Sequence, residues 1–434
     1  MVKEIVMTTR PRFTFRRSLL SFTVATVGLL TALATPALAQ TFNVLYAFTG
    51  GADGGHPFSG VTVGGPGTLY GTTYTDGTDG WGTVFKLSQR SSGWTLNPLY
   101  EFTGESDGAN PEASVIVGPN GALYGTTTAG ASGGVVFELQ PPVAACKTAI
   151  CYWSETVLHS FTGGADDGRG PGYGNLIFDQ AGNIYGTTEE GGPDNYGTAY
   201  ELSPSSGGWT VSLLHSFNLG LSDGYQPLAG LIFDRAGNLY GTTYLGGTGG
   251  GGTAFELSPS GGTWTENILY DFPSNEYFGT PTGPGALIMD RSGNLYGPTY
   301  YDGNTDQSTV FGLTPSDGRW IFSTLYIFSG ASLPSGPLAV DTAGNLYGTS
   351  YFGGVHGYGT VFELTNSRGY WYLTDIYDFT GQSDGRYPLG GLTFDRNGNL
   401  YGTTYAGGNV LDCEGYGNFG CGVVWEITGL HDRH

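Results

Sequence analysis

The chain has 434 residues with 37 acidic against 16 basic side chains, a formal net charge of −21, 14% aromatic residues and 78 glycines. That acidity disfavours nucleic acid and anionic membrane surfaces as partners. The aromatic content excludes a disordered low-complexity chain, despite the abundant glycine and sparse charge.

Arg10, Arg12, Arg16 and Arg17 lead into an apolar run from Leu19 to Leu33, which ends on Ala37-Leu38-Ala39. Residues 1–39 therefore read as a signal peptide, cleaved before Gln40, with a periplasmic or extracellular destination. The run is short for a spanning helix, so no membrane span is expected after cleavage. Its removal leaves 11 basic against 36 acidic residues.

From Gln40 onward one phrase dominates. Gly-Asn-Leu-Tyr-Gly-Thr-Thr, or a close variant, occurs seven times, with its tyrosine at Tyr70, Tyr124, Tyr185, Tyr240, Tyr296, Tyr347 and Tyr401. The spacings of 54, 61, 55, 56, 51 and 54 residues suit a multi-stranded repeat and are too long for one turn of a β-helix. In the unit that starts at Tyr225, four strand-like runs cover Leu228–Asp234, Asn238–Tyr244, Thr253–Leu257 and Trp264–Phe272, separated by glycine-rich turns. Seven such units predict an all-β chain, a seven-bladed β-propeller of four-stranded blades. An open solenoid would need atypical capping repeats, and the sequence has none.

The two ends of the repeat complement each other. Thr41–Phe48 is a lone fourth strand, while the last unit ends after its third, Val423–Ile427. The N-terminal strand is expected to complete the last blade and close the ring, making residues 40–434 a single domain without sheet edges at the seam. On that reading, loss of residues 40–50 destabilises the whole ring and loss of Gly429–His434 is nearly silent.

Residues that recur in most units read as structural. Trp94, Trp153, Trp209, Trp264, Trp320 and Trp371 each open a fourth strand and are assigned to packing between blades. The Asp-x-x-Gly-Asn turns at Asp179, Asp234, Asp290, Asp341 and Asp395 read as hairpin caps. Glu138, Glu201, Glu256, Glu363 and Glu426 recur in the third strand, with too few Lys and Arg to pair them. They are expected to accept bonds from neighbouring hydroxyls or amides, such as the Thr-Thr pairs, or to reach solvent. Cys146 with Cys151 and Cys413 with Cys421 read as two short-loop disulfides in an oxidising compartment. Zinc on these cysteines would need four converging ligands, and neither loop contains a histidine.

The unit resembles the GloVer tandem repeat of exported bacterial proteins, through its Leu-Tyr-Gly-Thr-Thr core and the following Gly-Thr-Val-Phe-Glu-Leu. All seven copies carry the resemblance, which implies secretion and assigns no activity. Family members carry varied C-terminal sorting tails, whereas here Thr428–His434 offers no apolar tail or sorting motif. Release or periplasmic residence is expected rather than a covalent surface anchor. The Asn-Leu-Tyr strand is also similar to the second strand of NHL-type propellers, an analogy of fold only.

In a repeated ring, a ligand site must be built from what is singular. The fourth-to-first loops carry Asp53, Asp107, Asp167, Asp223 and Asp384, with His56, Arg169 and Arg386 as unshared additions. The second-to-third loops, expected on the same face, carry Asp76, Asp79, Glu189, Glu190, Asp194, Asp302, Asp306 and His356 among Trp81, Tyr196, Tyr301 and Tyr358. Such a face could bind sugars by stacking and by hydroxyl-to-carboxylate bonds, or could hold calcium. No other cofactor is called for.

Glu189 stands where Tyr74, Tyr244, Tyr300, Tyr351 and Tyr405 stand in other copies. Glu189 or Glu190 with Asp194 could supply the carboxyls of a glycosidase or lyase, although adjacent strand residues point to opposite faces. His159 and His215 replace a recurrent tyrosine and are expected to pack as aromatics. No serine-hydrolase, zinc-protease, phosphate-loop or dinucleotide motif is present. The expectation is a monomeric, non-catalytic binding module for glycan or another extracellular polymer, with a polysaccharide-acting enzyme as the alternative.

Overall fold

The computed structural model describes residues 40–143, 151–220, 222–274, 282–301, 307–329, 332–408, 413 and 419–430. The unit at Tyr240 runs outward from the ring axis as Ile232–Phe233, Leu239–Thr243, Gly250–Ser260 and Thr263–Pro273, each strand antiparallel to the next. Seven four-stranded sheets of this kind form a seven-bladed β-propeller, and no α-helix occurs among the described residues. Blades are numbered by their tyrosines, from blade 1 with Tyr70 to blade 7 with Tyr401.

The repeated phrase is the second strand, and each of its residues has a partner that explains it. Tyr240 lies directly opposite Glu256 and Gly241 opposite Phe255. A Cβ on Gly241 would come 2.6 Å from the Phe255 ring, and one on Gly402 2.3 Å from Trp425, so the aromatic seat requires glycine. The first threonine donates to the next blade, as Thr72 to the Ala113 carbonyl and Thr242 to that of Gly285, both at 3.0 Å. The second pairs with a third-strand threonine, Thr243 with Thr253 at 2.9 Å.

Between blades the tryptophans pack as expected. Trp153, Trp264, Trp320 and Trp371 meet the repeat tyrosine of the preceding blade edge to face, at 5.8 to 6.3 Å between centroids. The Asp-x-x-Gly-Asn turns are caps. Asp234 accepts from the amides of Ala236 and Asn238, from the Asn238 side chain and from the Tyr240 hydroxyl, while Gly237 takes a φ of 92°. Burial alone would raise the Asp234 carboxyl; these bonds outweigh it and hold the group below its ordinary range.

The third-strand glutamates find a partner other than the Thr-Thr pairs. The repeat tyrosine hydroxyl donates to them: Tyr124 to Glu138 at 2.6 Å, Tyr347 to Glu363 and Tyr401 to Glu426 at 2.7 Å. The tyrosine that packs a tryptophan thus also satisfies a carboxylate that has no cation available.

Ring closure follows the expectation. Thr41–Ala47 is the fourth strand of blade 7, antiparallel to Val423–Thr428, with Thr41 opposite Thr428. Thr403 donates to the Ser59 carbonyl at 2.7 Å, and Trp94 shares a core cluster with Tyr401, so blade 7 joins blade 1 as other neighbours join. Two expectations change. Leu430 is buried in the core between blades 6 and 7, so truncation from Gly429 removes a core side chain and is not silent. The run Leu228–Asp234 pairs only at Ile232–Phe233, because the blades converge until backbones touch. A Cβ on Gly230 would stand 2.5 Å from the Asn175 carbonyl oxygen, and residues 228–231 line the axis instead of pairing.

Candidate functional site

The loop entering a blade pairs with that blade's second-to-third loop, through Gly55–Thr75, Ala109–Ala129, Gly168–Gly191, Gly224–Gly246 and Arg386–Ala406. The two loop sets therefore share one face. Their Asp-Gly aspartates are caps: Asp53 accepts from the Thr49 amide and hydroxyl and from the Tyr46 hydroxyl, and Asp107 and Asp384 repeat that pattern with Thr103 and Tyr100, and with Thr380 and Tyr377. His159 and His215 pack on Phe161 and Phe217, and His159 also takes over the polar duty of the tyrosine it replaces. His159 Nε2 lies 2.9 Å from Asp167 and His215 Nε2 3.4 Å from Asp223.

The singular loop residues fall into separate local groups. His56 is buried, with Nδ1 2.9 Å from the Thr75 hydroxyl and 3.5 Å from Asp76. Arg169 lies opposite Glu190 and 3.4 Å from its carboxylate. Arg386 is buried beneath aromatic rings, 4.4 Å from Phe419, 5.5 Å from Tyr387 and 5.8 Å from Tyr358, and donates to the Phe419 carbonyl. Tyr358 covers Gly381 as Trp81 covers Gly104, and Tyr196 packs on Tyr225. Asp79, Asp194 and His356 are exposed. Cys413 is bonded to Cys421. Cys146, Asp302 and Asp306 lie outside the described residues, and the Cys146–Cys151 pairing with them.

Glu189 lies close enough to Glu112 for its charge to be felt there, and Glu112 lines an axial channel of about 550 Å³ to which all seven blades contribute. Its wall is mostly glycine and aliphatic, with Phe58, Tyr173, Tyr244 and Tyr300 as aromatic members and Glu112 as the acid. Tyr173 and Tyr300 expose their rings. Glu112 is buried, and its Oε2 has no hydrogen-bond partner. Burial, with the Glu189 charge second, pushes the Glu112 carboxyl up to about 8. Glu189 is itself raised, by burial and then by Glu190. At neutral pH the channel thus holds a protonated acid able to donate as well as accept, with the Glu189 carboxyl near enough to influence it.

The loop reading missed Glu112 and Tyr173. A signal existed: after the proline that ends each entering loop, Glu112 stands where Phe58, Leu228 and Leu389 stand in blades 1, 4 and 7. The singular position lay in the axis-lining segment that precedes the inner strand, outside both loop sets.

Fold and repeat together define a closed-ring β-propeller whose blades come from one tandem repeat. Within that class, the chain belongs to the Gloeobacter/Verrucomicrobia repeat family, which matches residues 34–211 and 152–333. No curated protein matches it. Among solved structures it is similar to the extracellular domain of a one-component system from B. thetaiotaomicron, at 13% identity and a TM-score of 0.52 over 88% of this chain; the chain spans 39% of that structure's length. A protein from Lactobacillus plantarum aligns at 14% identity and a TM-score of 0.50, covering 78% of this chain and 88% of its own. These likenesses are of fold alone. Among the described residues no helix is long and apolar enough to cross a membrane.

Proposed function

We propose that this is an exported, monomeric propeller that binds a hydroxyl-rich polymer, a glycan, at the mouth of its central channel. The observation that carries this reading is the composition of that mouth. Exposed aromatic rings on an apolar wall suit the CH faces of a sugar, and the unpartnered Glu112 carboxyl suits its hydroxyls. Export rests on the leader read over residues 1–39, and the Cys413–Cys421 disulfide supports it. A second reading has its own observation. Glu112 and Glu189 are carboxyls close enough to interact, and a pair of carboxyls is what glycoside cleavage uses.

Titration calorimetry of the purified protein against soluble polysaccharides tests both. Tyr173→Ala is expected to weaken binding at least about tenfold with the fold intact, an effect of about 1.4 kcal/mol. Failure of every polysaccharide to bind, or binding indifferent to Tyr173→Ala and Glu112→Gln, overturns the glycan reading. Release of reducing ends that stops in Glu112→Gln while binding persists moves the protein to the enzymatic reading.

A further inference from the structure

We propose that the junction between blades 3 and 4 holds one divalent ion of the zinc class, on His215 Nε2 and the carboxylates of Asp223 and Glu266. The three side chains come from separate segments. His215 lies in the fourth strand of blade 3, Asp223 in the loop entering blade 4, and Glu266 in the fourth strand of blade 4. One ligand atom from each lies within 4.8 Å of the other two.

The geometry suits an ion better than it suits the side chains alone. His215 Nε2 is 3.4 Å from Asp223 Oδ2 and 3.6 Å from Glu266 Oε2, both longer than a normal hydrogen bond. A tetrahedral zinc ion with bonds of about 2.0–2.1 Å holds its ligand atoms roughly 3.4 Å apart. Three atoms here have no hydrogen-bond partner: His215 Nε2, Asp223 Oδ1 and Glu266 Oε1. Asp223 is only 6% exposed. Its Oδ2 is held by the amide and side chain of Asn218, which leaves Oδ1 open, whereas Asp53, Asp107, Asp167 and Asp384 have both oxygens occupied. Buried polar atoms without partners are costly, and a cation would relieve all three.

The other junctions supply internal controls. Two residues after the fourth-strand tryptophan, Glu266 occupies a position held by Leu96, Val211, Phe322 and Leu373 in blades 1, 3, 5 and 6. Blade 2 has Glu155 there, but it faces Tyr100 and Asp107 and so lacks an imidazole. Blade 3 has Val211 there, and the facing His159 simply bonds Asp167. Only at blades 3 and 4, among the described residues, do histidine, aspartate and glutamate coincide at a junction. One imidazole and two carboxylates form a mixed N and O donor set, with a carboxylate oxygen left over to complete the coordination. Calcium prefers six to eight oxygens and fits it poorly. The other grouping, His56, Asp76 and Cys413, offers a disulfide sulfur in place of a thiolate.

The test is to strip the purified full-length protein with chelator, titrate Zn²⁺ by calorimetry and follow melting, with Ca²⁺ as control. One zinc equivalent per chain is expected, with a melting temperature that rises with zinc by mass action and is indifferent to calcium. Glu266→Val and His215→Tyr each install a residue another blade uses at that place, so both should fold and melt normally in chelator. Each is expected to lose the zinc equivalent and the zinc-dependent rise. Absence of stoichiometric zinc in the wild type, or its retention in both variants, overturns the assignment. Co²⁺ gives a second readout: visible bands of a four-coordinate site present in the wild type and absent from Glu266→Val support it, and bands in both refute it.

Discussion

The junction between blades 2 and 3 and the junction between blades 3 and 4 are built from the same parts with one exchange. Each has a histidine in place of the recurrent tyrosine and an aspartate in the next loop. Against Val211 the His159–Asp167 distance is 2.9 Å; beside Glu266 the His215–Asp223 distance is 3.4 Å. A single side chain from the neighbouring blade turns a closed hydrogen bond into an open three-ligand cluster. The lesson is that the repeat supplies a rigid frame, and function enters where one column of the repeat departs from the rest.

The largest effects should be shared by both junctions, because they concern the frame. Trp209→Ala and Trp264→Ala are each expected to cost about 3 kcal/mol in chemical denaturation; a large inequality between them would break the comparison. Next, Val211→Glu should cost about 2 kcal/mol in chelator, by burying a carboxyl among apolar neighbours, and should raise the zinc stoichiometry from one to two. Destabilisation without the second ion would show that the Asn218 arrangement at blade 4 is also required.

The channel extends the contrast to a third place. Glu112 titrates near 4.5 when unfolded and near 8 when folded, so the folded state keeps a proton that the unfolded chain has lost. Its contribution is complete below the lower value and is lost as pH rises through the higher one. Melting of the wild type should fall relative to Glu112→Gln between about pH 5 and 8 and then run parallel. The smallest effect is expected for His159→Tyr, within about 0.5 kcal/mol of wild type. Tyr46, Tyr100 and Tyr377 already hold the matching aspartates at 3.0 Å. The same change at His215 should abolish zinc binding.

What the sequence disclosed follows the same division. Blade number, strand order and closure by Thr41–Phe48 were readable because each rests on a pattern that recurs along the chain. The tryptophan and Asp-x-x-Gly-Asn roles were readable for the same reason. The Tyr–Glu bond was not, since it depends on the register that sets Tyr240 opposite Glu256. Glu112 was passed over because its column follows the proline that ends the entering loop, beyond the two loop sets in which singular residues were sought. Glu266 could not be placed, because its partners belong to the adjacent blade and pairing between sheets leaves no spacing rule in the chain.

The seam of blade 7 has a topological meaning. Thr41 sits across from Thr428, as Thr263 sits across from Ser260, where two glycines complete a hairpin. The backbone is therefore a circle opened at one such turn. A linker from Leu430 to Thr41 would restore the circle, which could then be opened at another outer hairpin such as Ser260–Thr263, so the sequence order of the blades is one choice among several.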